Sequence, residues 1–410
     1  MASSRRVVVT GMGAVSAAGW GVDALRHTLR SGKTAIGAFD RFDHSRQRTH
    51  VAGQVPPAPP SCDEFIQWKR LSNSDRFALF AASEAVGSAG LSRPLHDIAA
   101  GVFFGSSTGG LFEAEEFFEA LCADTGTARR TLLASHGISA PAEAVARYLG
   151  ICGPVETISS ACASGGLAIE QAFRAVRSGE LDVAIAGGAD CLCRTTYSGF
   201  NALRAVDEQP CRPFRSGRAG MSLGEGGAVL VLETLERAIA RGTRVLAEIL
   251  GAGSSCDAHH MTAPKSDGEG AAIAIARALQ DAAVEPETID FINAHATGTP
   301  LNDSAEYAAM RRIFGERAKR IPIEATKSSV GHLLGAAGAI EAVAAVLTLI
   351  DEQVHPAAGE GALDESTPVD LVVGAARGAP GIRIGLSTNF GFGGANAAVL
   401  FGRCDADAPS

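Results

Sequence analysis

The sequence predicts an α/β protein of five layers, α-β-α-β-α, arranged as two duplicated halves. Short β-branched runs alternate with helix-like segments along all 410 residues, and those runs are near-continuously apolar, as strands covered on both faces must be. Two helix-like segments, one after Cys162 and one after His332, are rich in Ala and Gly and lack a polar face, so each belongs between two layers. The stretch "VETISSAC" leading into "ASGGLAIEQAFRAV" is also echoed by "IPIEATKSSVGH" leading into "LLGAAGAIEAVAAVL". Each is a strand, a Ser-Ser turn and a small-residue helix with a reactive side chain at its start, the pattern a duplication leaves.

In chain order, the strands are expected at "RRVVVTG" (from Arg5), "GVFFGSS" (Gly101), "VETISSA" (Val155), "DVAIAGG" (Asp182), "AVLVLET" (Ala228), "RVLAEIL" (Arg244), "DFINAHA" (Asp290), "IPIEATK" (Ile321) and "RIGLSTN" (Arg383). The halves meet near Glu236 to Val245, which gives residues 1–242 with Cys162 and residues 243–410 with His295, Lys327 and His332. The most apolar helix, Gly335 to Ile350, carries Glu341 near its middle and reads as a buried core helix. No run of about 18 uninterrupted apolar residues exists, so no membrane span is expected. Pro- and Gly-rich Val55 to Glu64 and His355 to Pro368 read as surface loops.

The formal charge of −9 argues against a nucleic-acid partner, and no basic run or zinc spacing offers one locally. The nine cysteines are odd in number and irregular in spacing, and "MASSRRVVVTGMG" lacks an export-signal core; reduced thiols in a cytoplasm are expected. Cys191 and Cys193 form C-x-C with no second ligand pair, so no metal site is expected.

Two motifs invite other readings. "TGMGAVS" begins like a dinucleotide fingerprint, but Ser16 stands where the third glycine should be. "GSSTG" (Gly105 to Gly109) matches G-x-S-x-G between a strand and a helix, so Ser107 is a candidate hydrolase nucleophile, with Asp190 or Asp290 and His295 following in order.

A second constellation accounts for more residues. Cys162 sits where a helix begins, and a helix start offers unpaired N–H groups and partial positive charge to a thiolate. The small residues Ala163 to Gly166 leave room for a substrate carbonyl, although free cysteine is also among the most buried residue types. His295 follows a strand and opens a polar turn with Thr297, Thr299, Asn302 and Asp303. Lys327 and His332 lie at another strand-to-helix junction, where a neutral imidazole, with one donor and one lone pair, suits a developing oxyanion. "STNFGFGGANAAVLF" (Ser387 to Phe401) has glycines whose backbone N–H groups can face a site, beside Phe390 and Phe392.

"SSACASGG", "NAHATGTPLND", "KSSVGHLLGAAGA" and "NFGFGGAN" together resemble, in order, the motifs of the elongating β-ketoacyl-acyl-carrier-protein synthases, thiolase-superfamily enzymes of Cys-His-His type. The likeness covers nearly the whole chain. It implies a thiolase fold and a decarboxylative Claisen condensation, in fatty acid or type II polyketide or polyene biosynthesis, with Cys162, His295 and His332 catalytic. It further implies an oxyanion hole at the N–H groups of Cys162 and Phe392, with Phe392 and Phe390 as a gate. Lys327 would join Cys162 and the two histidines in the catalytic site, orienting it and tuning its charge, paired with Glu306 or Glu341, with Asp303 supporting; Thr297 and Thr299 would bind phosphopantetheine, and Thr108 would line the acyl pocket. No cofactor is implied, because substrates arrive on the phosphopantetheine of an acyl carrier protein. The implied assembly is a homodimer, or a heterodimer with a chain-length-factor-like subunit. An acidic carrier calls for a local basic patch, for which Lys69, Arg70, Arg204, Arg215 and Arg218 are candidates. Two departures stand out: Ala296 where the family commonly has glycine, and Met221-Ser222 where a Phe-Val type pair is frequent.

Overall fold

The computed structural model describes residues 5–65, 68–124 and 126–404, so the first four residues of the N-terminal segment lie outside the described ones. Among the described residues, one sheet has twelve strands, and ten of them make up its two halves. They are β1 (Val7–Ser16), β2 (Ala100–Gly105), β3 (Val155–Ile158), β4 (Val183–Asp190) and β5 (Gly226–Thr234), then β6 (Ala247–Cys256), β7 (Phe291–Asn293), β8 (Pro322–Glu324), β9 (Ile384–Phe390) and β10 (Ala395–Gly402).

The first half runs β3-β2-β4-β5-β1 and the second runs β8-β7-β9-β10-β6, so third, second, fourth, fifth and first strands follow one another in both. The senses match as well. β2 is parallel to β3 and β4, while β5 is antiparallel to β4 and β1. β7 is likewise parallel to β8 and β9, while β10 is antiparallel to β9 and β6. The echo in the sequence is therefore a repeated topology. The halves join where Val7–Val9 of β1 pair antiparallel with Ile249–Ala247 of β6.

Alternation along each strand loads both faces. In the first half, Val102, Phe104, Val183, Ile185, Val229 and Val231 face the outer helices α1 (Asn73–Ser88) and α2 (Ala140–Leu149). Their neighbours Phe103, Ala184, Ala186 and Leu230 face inward onto α3 (Ser164–Ser178). Beyond α3 come α4 (Arg194–Ala202), α5 (Glu269–Ala282) and α6 (Pro300–Phe314); α5 and α6 cover the outer face of the second half through Ile275, Leu279, Ala309 and Met310. α7 (Ala337–Asp351) is the second central helix, buried from Ala337 to Leu349. The helical run Leu334–Asp351 is long and apolar enough to cross a membrane by composition, but 89% of it is buried between the sheet halves, the core position expected of it.

Small residues let α3 and α7 touch. A Cβ added to Gly338 would lie 2.4 Å from the backbone nitrogen of Gly166. Three expected strands stop early, at Ile158, Asn293 and Glu324, because the chain must then turn to present Cys162, His295 and Lys327. The strand expected from Arg244 starts at Ala247 and runs on to Cys256. The loop ending at Glu64 closes in a 3-10 turn, Pro60–Glu64.

Candidate active site

Four chain reversals at strand ends converge between the halves. After β3, Ala161 takes a positive φ of 47°, and Cys162 follows, 5% exposed. The Ser164 hydroxyl pins this turn, donating to the Ala161 carbonyl at 2.6 Å and accepting from Ser160 N–H at 2.8 Å. Gly391 lies directly on it: a Cβ there would be 3.2 Å from Cys162 N and 2.9 Å from Ser160 O. That contact brings the Phe392 N–H to the Cys162 sulfur.

After β7, the N–H groups of His295 and Ala296 both donate to Glu306, each at 2.8 Å, with Ala296 at φ 41°. After β8, buried Lys327 spends its three ammonium donors on Glu341 (2.5 Å), His295 O (2.6 Å) and His295 Nδ1 (3.1 Å). Of the two carboxylates expected to pair with Lys327, it is thus Glu341 that does so; Glu306 holds the His295 backbone and accepts from Thr388 at 3.0 Å. His332, fully buried, receives the Leu334 N–H on its own Nδ1 at 3.1 Å. The Nε2 of His332 has no hydrogen-bond partner among the described residues. The Cys162 sulfur and one ring nitrogen of each histidine lie within 4.8 Å of one another, and the rings meet edge to face at 5.5 Å.

Donor arithmetic fixes the tautomers. An ammonium and a backbone N–H can only donate, so both Nδ1 atoms accept. Burial first, and then the Lys327 charge, push both imidazoles well below their usual range, so each ring is neutral. A neutral ring with an accepting Nδ1 carries its proton on Nε2. The result is a pair of uncharged Nε2–H donors beside the sulfur.

The sulfur departs from the resting thiolate that the sequence led us to expect. Burial pushes the Cys162 thiol up to about 11, against the lowering effects of Lys327 and of the Phe392 and Cys162 N–H groups. Removal from water outweighs the helix start, because the turn places Cys162 two residues ahead of the first helical residue, Ser164. Burial likewise raises Glu306 to about 7, and it raises Glu341 against the opposing pull of Lys327 and Asn389.

A cavity of about 250 Å³ opens from this cluster to the surface, lined by Met221, Thr297, Thr299, Phe390, Phe392 and Arg204 among others. The Thr297 and Thr299 hydroxyls bond each other at 2.9 Å, and Thr299 also caps α6 through Asn302 N–H. Phe390 packs 5.7 Å from the His295 ring, and Phe392 stacks on Phe200 of α4 at 5.5 Å. Asp303 braces the surrounding loop, accepting from Phe214 N–H at 2.8 Å and pairing with Arg218 at 3.1 Å.

Other residues singled out by the sequence fall elsewhere. Thr108 donates its hydroxyl to Asp190 at 2.9 Å and does not line this cavity. The Ser107 hydroxyl has no partner among the described residues, and Asp190 takes Ser107's N–H instead, so the hydrolase reading lacks its base. Asp290 accepts the Arg383 and Ile384 N–H groups. Lys69, Arg70 and Arg204 are exposed, whereas Arg215 and Arg218 are buried, 6% and 8% exposed. Arg215 holds the Gly359 and Gly361 carbonyls and Arg218 holds Asp303 and Asp364, which removes both from any docking patch. Sequence reasoning missed Asn389, which donates to Glu341 at 2.5 Å; the segment Asp257 to Pro264, which resembles the family's loop at the tunnel mouth, does line the cavity, His260 included. Asn389 lay inside a quoted motif, but nothing local marks it as a partner of a residue 48 positions away.

The N-terminal domain profile of the β-ketoacyl synthases matches residues 4–238, and the C-terminal domain profile matches residues 246–359. The chain belongs to the β-ketoacyl synthase family. The "3-oxoacyl-[acyl-carrier-protein] synthase 2" of Staphylococcus aureus (strain N315) is 37% identical over 421 aligned residues, covering 99% of this chain and 100% of the relative. The solved "ishigamide ketosynthase/chain length factor" superposes with TM-score 0.92 at 35% identity, over 98% of this chain and all of that one. A type II PKS ketosynthase, solved in complex with its acyl-carrier protein and bound to the hexaketide, gives 0.90 at 30% identity, over 98% and 100%. Within this β-ketoacyl synthase the departures noted in the sequence sit at the site's edge: Ala296 adopts a left-handed conformation that glycine holds without strain, and Met221 lines the cavity.

Proposed function

We infer that this β-ketoacyl synthase extends acyl chains by decarboxylative Claisen condensation, joining a malonyl unit on an acyl carrier protein to an acyl group held on Cys162. The observation that carries the reading is the pair of neutral Nε2–H donors of His295 and His332 beside that sulfur. In the first half-reaction, the Cys162 sulfur attacks the thioester carbonyl of an acyl-carrier. The bond to the carrier sulfur breaks, and the thiol proton ends on the departing carrier arm. The N–H groups of Cys162 and Phe392 meet the charge that grows on the carbonyl oxygen. Burial, which raises the thiol to about 11, keeps the sulfur protonated at rest.

In the second half-reaction, malonyl-carrier enters along the cavity, its arm beside Thr297 and Thr299, after Phe392 swings aside with Phe390 as hinge wall. Its thioester oxygen accepts both Nε2–H bonds. The bond to the carboxylate breaks, CO2 leaves, and the electron pair forms an enolate. The enolate carbon attacks the acyl carbonyl, the bond to Cys162 breaks, and the sulfur regains a proton from solvent. The product is a 3-ketoacyl carrier thioester.

Lys327, Glu341, Glu306 and Asp303 position the imidazoles. No cofactor is required. A metal ion at Cys162, His295 and His332 would need Nε2 lone pairs, and the Nδ1 partners commit both Nε2 atoms to protons. The partners are an acyl carrier protein and a second subunit, either another copy or a chain-length-factor-like chain; the solved ketosynthase/chain length factor relative favours the latter. The setting is the cytoplasm, in fatty acid or polyketide assembly. Intact-mass analysis after mixing with a panel of acyl-carrier thioesters tests the reading: an acyl adduct on Cys162 that is lost in Cys162→Ala is expected. An unmodified wild-type protein, purified with its partner, sinks it.

A further inference from the structure

Asp190 ends β4, is fully buried, and touches neither the sulfur nor an imidazole among the described residues, yet it gathers donors from both halves. One oxygen accepts the Ser106 hydroxyl (2.9 Å), Ser107 N–H (2.9 Å), Thr108 N–H (2.8 Å) and Thr108 hydroxyl (2.9 Å). The other shares the Ser107 N–H at 3.0 Å and accepts the Gly335 N–H at 2.7 Å, its one partner across the pseudo-symmetric divide among the described residues.

Gly335 is three residues beyond His332. Between them Leu334 holds φ 53°, a conformation that leucine disfavours, and its N–H points back at His332 Nδ1. Rotation about φ of Leu334 relates the peptide before it, which carries the N–H to the ring, to the peptide after it, which Asp190 grips. Without that grip, Leu334 can relax to the right-handed region and carry its N–H off Nδ1. The repeated fold supplies a parallel. Asn389, one residue before the end of β9, packs against the start of α3, where a Cβ on Gly166 would lie 2.6 Å from its Oδ1. Each half thus braces the helix start of the other.

We propose that Asp190 is a positioning residue that keeps His332 in its Nε2–H tautomer by holding Gly335 and, through it, strained Leu334. The proposal rests on the enolate-forming role given to His332 above. Asp190 is expected to matter for decarboxylation and not for acyl loading.

Asp190→Asn tests this selectively. The amide can keep its oxygen toward the Ser106–Thr108 turn, with its four donors, only by turning an NH2 toward Gly335 N–H. Two measurements apply. Malonyl-carrier decarboxylation should fall tenfold or more, while acyl loading of Cys162, read by intact mass, stays within threefold. In protein labelled with 15N-histidine, the His332 Nε2–H signature should give way to a tautomer mixture. Ser106→Ala removes a different bond to the same carboxylate; it should lower thermal stability yet leave the tautomer and the ratio of half-reactions as in wild type. If Asp190→Asn does not fold, Asp190→Ser, too short to reach Gly335 or the Ser106–Thr108 turn, is read by the His332 signature and the ratio of the two half-reactions, which a general loss of stability does not shift. A parallel fall of both half-reactions, an unchanged His332 signature, or the same selective loss in Ser106→Ala overturns the proposal. A wild-type enzyme that releases no CO2 refutes the functional reading instead, and the tautomer comparison still decides the role of Asp190.

Discussion

Replacing Lys327 with methionine removes three hydrogen bonds and one charge while nearly preserving shape. Glu341 loses its cation and keeps Asn389 as its one donor among the described residues, so burial, aided by the Glu324 charge, outweighs that bond and holds the carboxyl protonated. In the unfolded chain the same carboxyl ionises near about pH 4.3. Above that pH the folded variant binds one more proton than the unfolded one, so its stability falls as pH rises, by about 1.4 kcal/mol per pH unit. Wild-type Glu341, itself raised to about 7, keeps its proton over the same range, so the extra loss relative to wild type opens above about pH 7, where wild type ionises and the variant does not, and grows by about 1.4 kcal/mol per pH unit. Below pH 7 both proteins hold this proton, and the difference between them from this group is flat. The same change frees His295 Nδ1, so its proton can move there and leave a lone pair facing the thioester oxygen. Losing one oxyanion donor costs about 100- to 1000-fold. Urea melts at pH 7 and pH 9, paired with CO2 release from malonyl-carrier, check both parts. An equal stability loss at the two pH values, or decarboxylation within threefold of wild type, would refute the reasoning.

Three further outcomes are expected. Alkylation of Cys162 by iodoacetamide should accelerate with rising pH well beyond neutrality, following a thiol near 11; a rate already flat at pH 8 contradicts the burial argument. Gly338→Ala drives a methyl to 2.4 Å from Gly166 N, so the central helices must part; a loss of about 1–3 kcal/mol or more in chemical denaturation is expected, with little soluble protein as the extreme. Ala296→Gly relieves left-handed strain of about 1–2 kcal/mol and adds unfolded-state freedom of about 0.4–1 kcal/mol. The midpoint of thermal unfolding should therefore hold or rise slightly, and a clear drop would show that the methyl packs usefully.

Sequence alone was a good guide wherever a pattern repeats locally. The five layers followed from apolar strands and two helices without a polar face, and α7 is buried along its apolar length. Cys162, His295, Lys327 and His332 were legible because each falls in a junction that leads from a strand toward a helix, and they do converge. What stayed illegible depends on contacts across the chain. Arg215 and Arg218 read as surface charges because nothing local reveals that Asp303 and a loop near residue 360 enclose them. Lys327 could not be assigned to Glu341 over Glu306, because both stand on buried helix faces and only packing brings one of them to 2.5 Å. The thiol was misjudged for the same reason: the helix start is visible in sequence, and the depth of burial that outweighs it is not.

Duplication explains why one site can ask opposite things of two equivalent places. Cys162 and His332 each follow the third strand of a half and precede its central helix. At the first junction, Gly391 lets a foreign loop lie on the turn, so N–H groups surround a sulfur that must become negative. At the second, the donor is turned inward onto Nδ1, so the side chain itself must donate. The one cation, Lys327, reaches His295 and is matched by Glu341, which leaves the reacting centre served by dipoles more than by net charge. Neutral donors can hold an enolate without capturing it as a stable ion pair, so the carbon remains free to attack. A half built as an exact copy of the other would offer two nucleophiles or two oxyanion clamps; divergence at these few strand ends turns a repeated frame into a complementary pair.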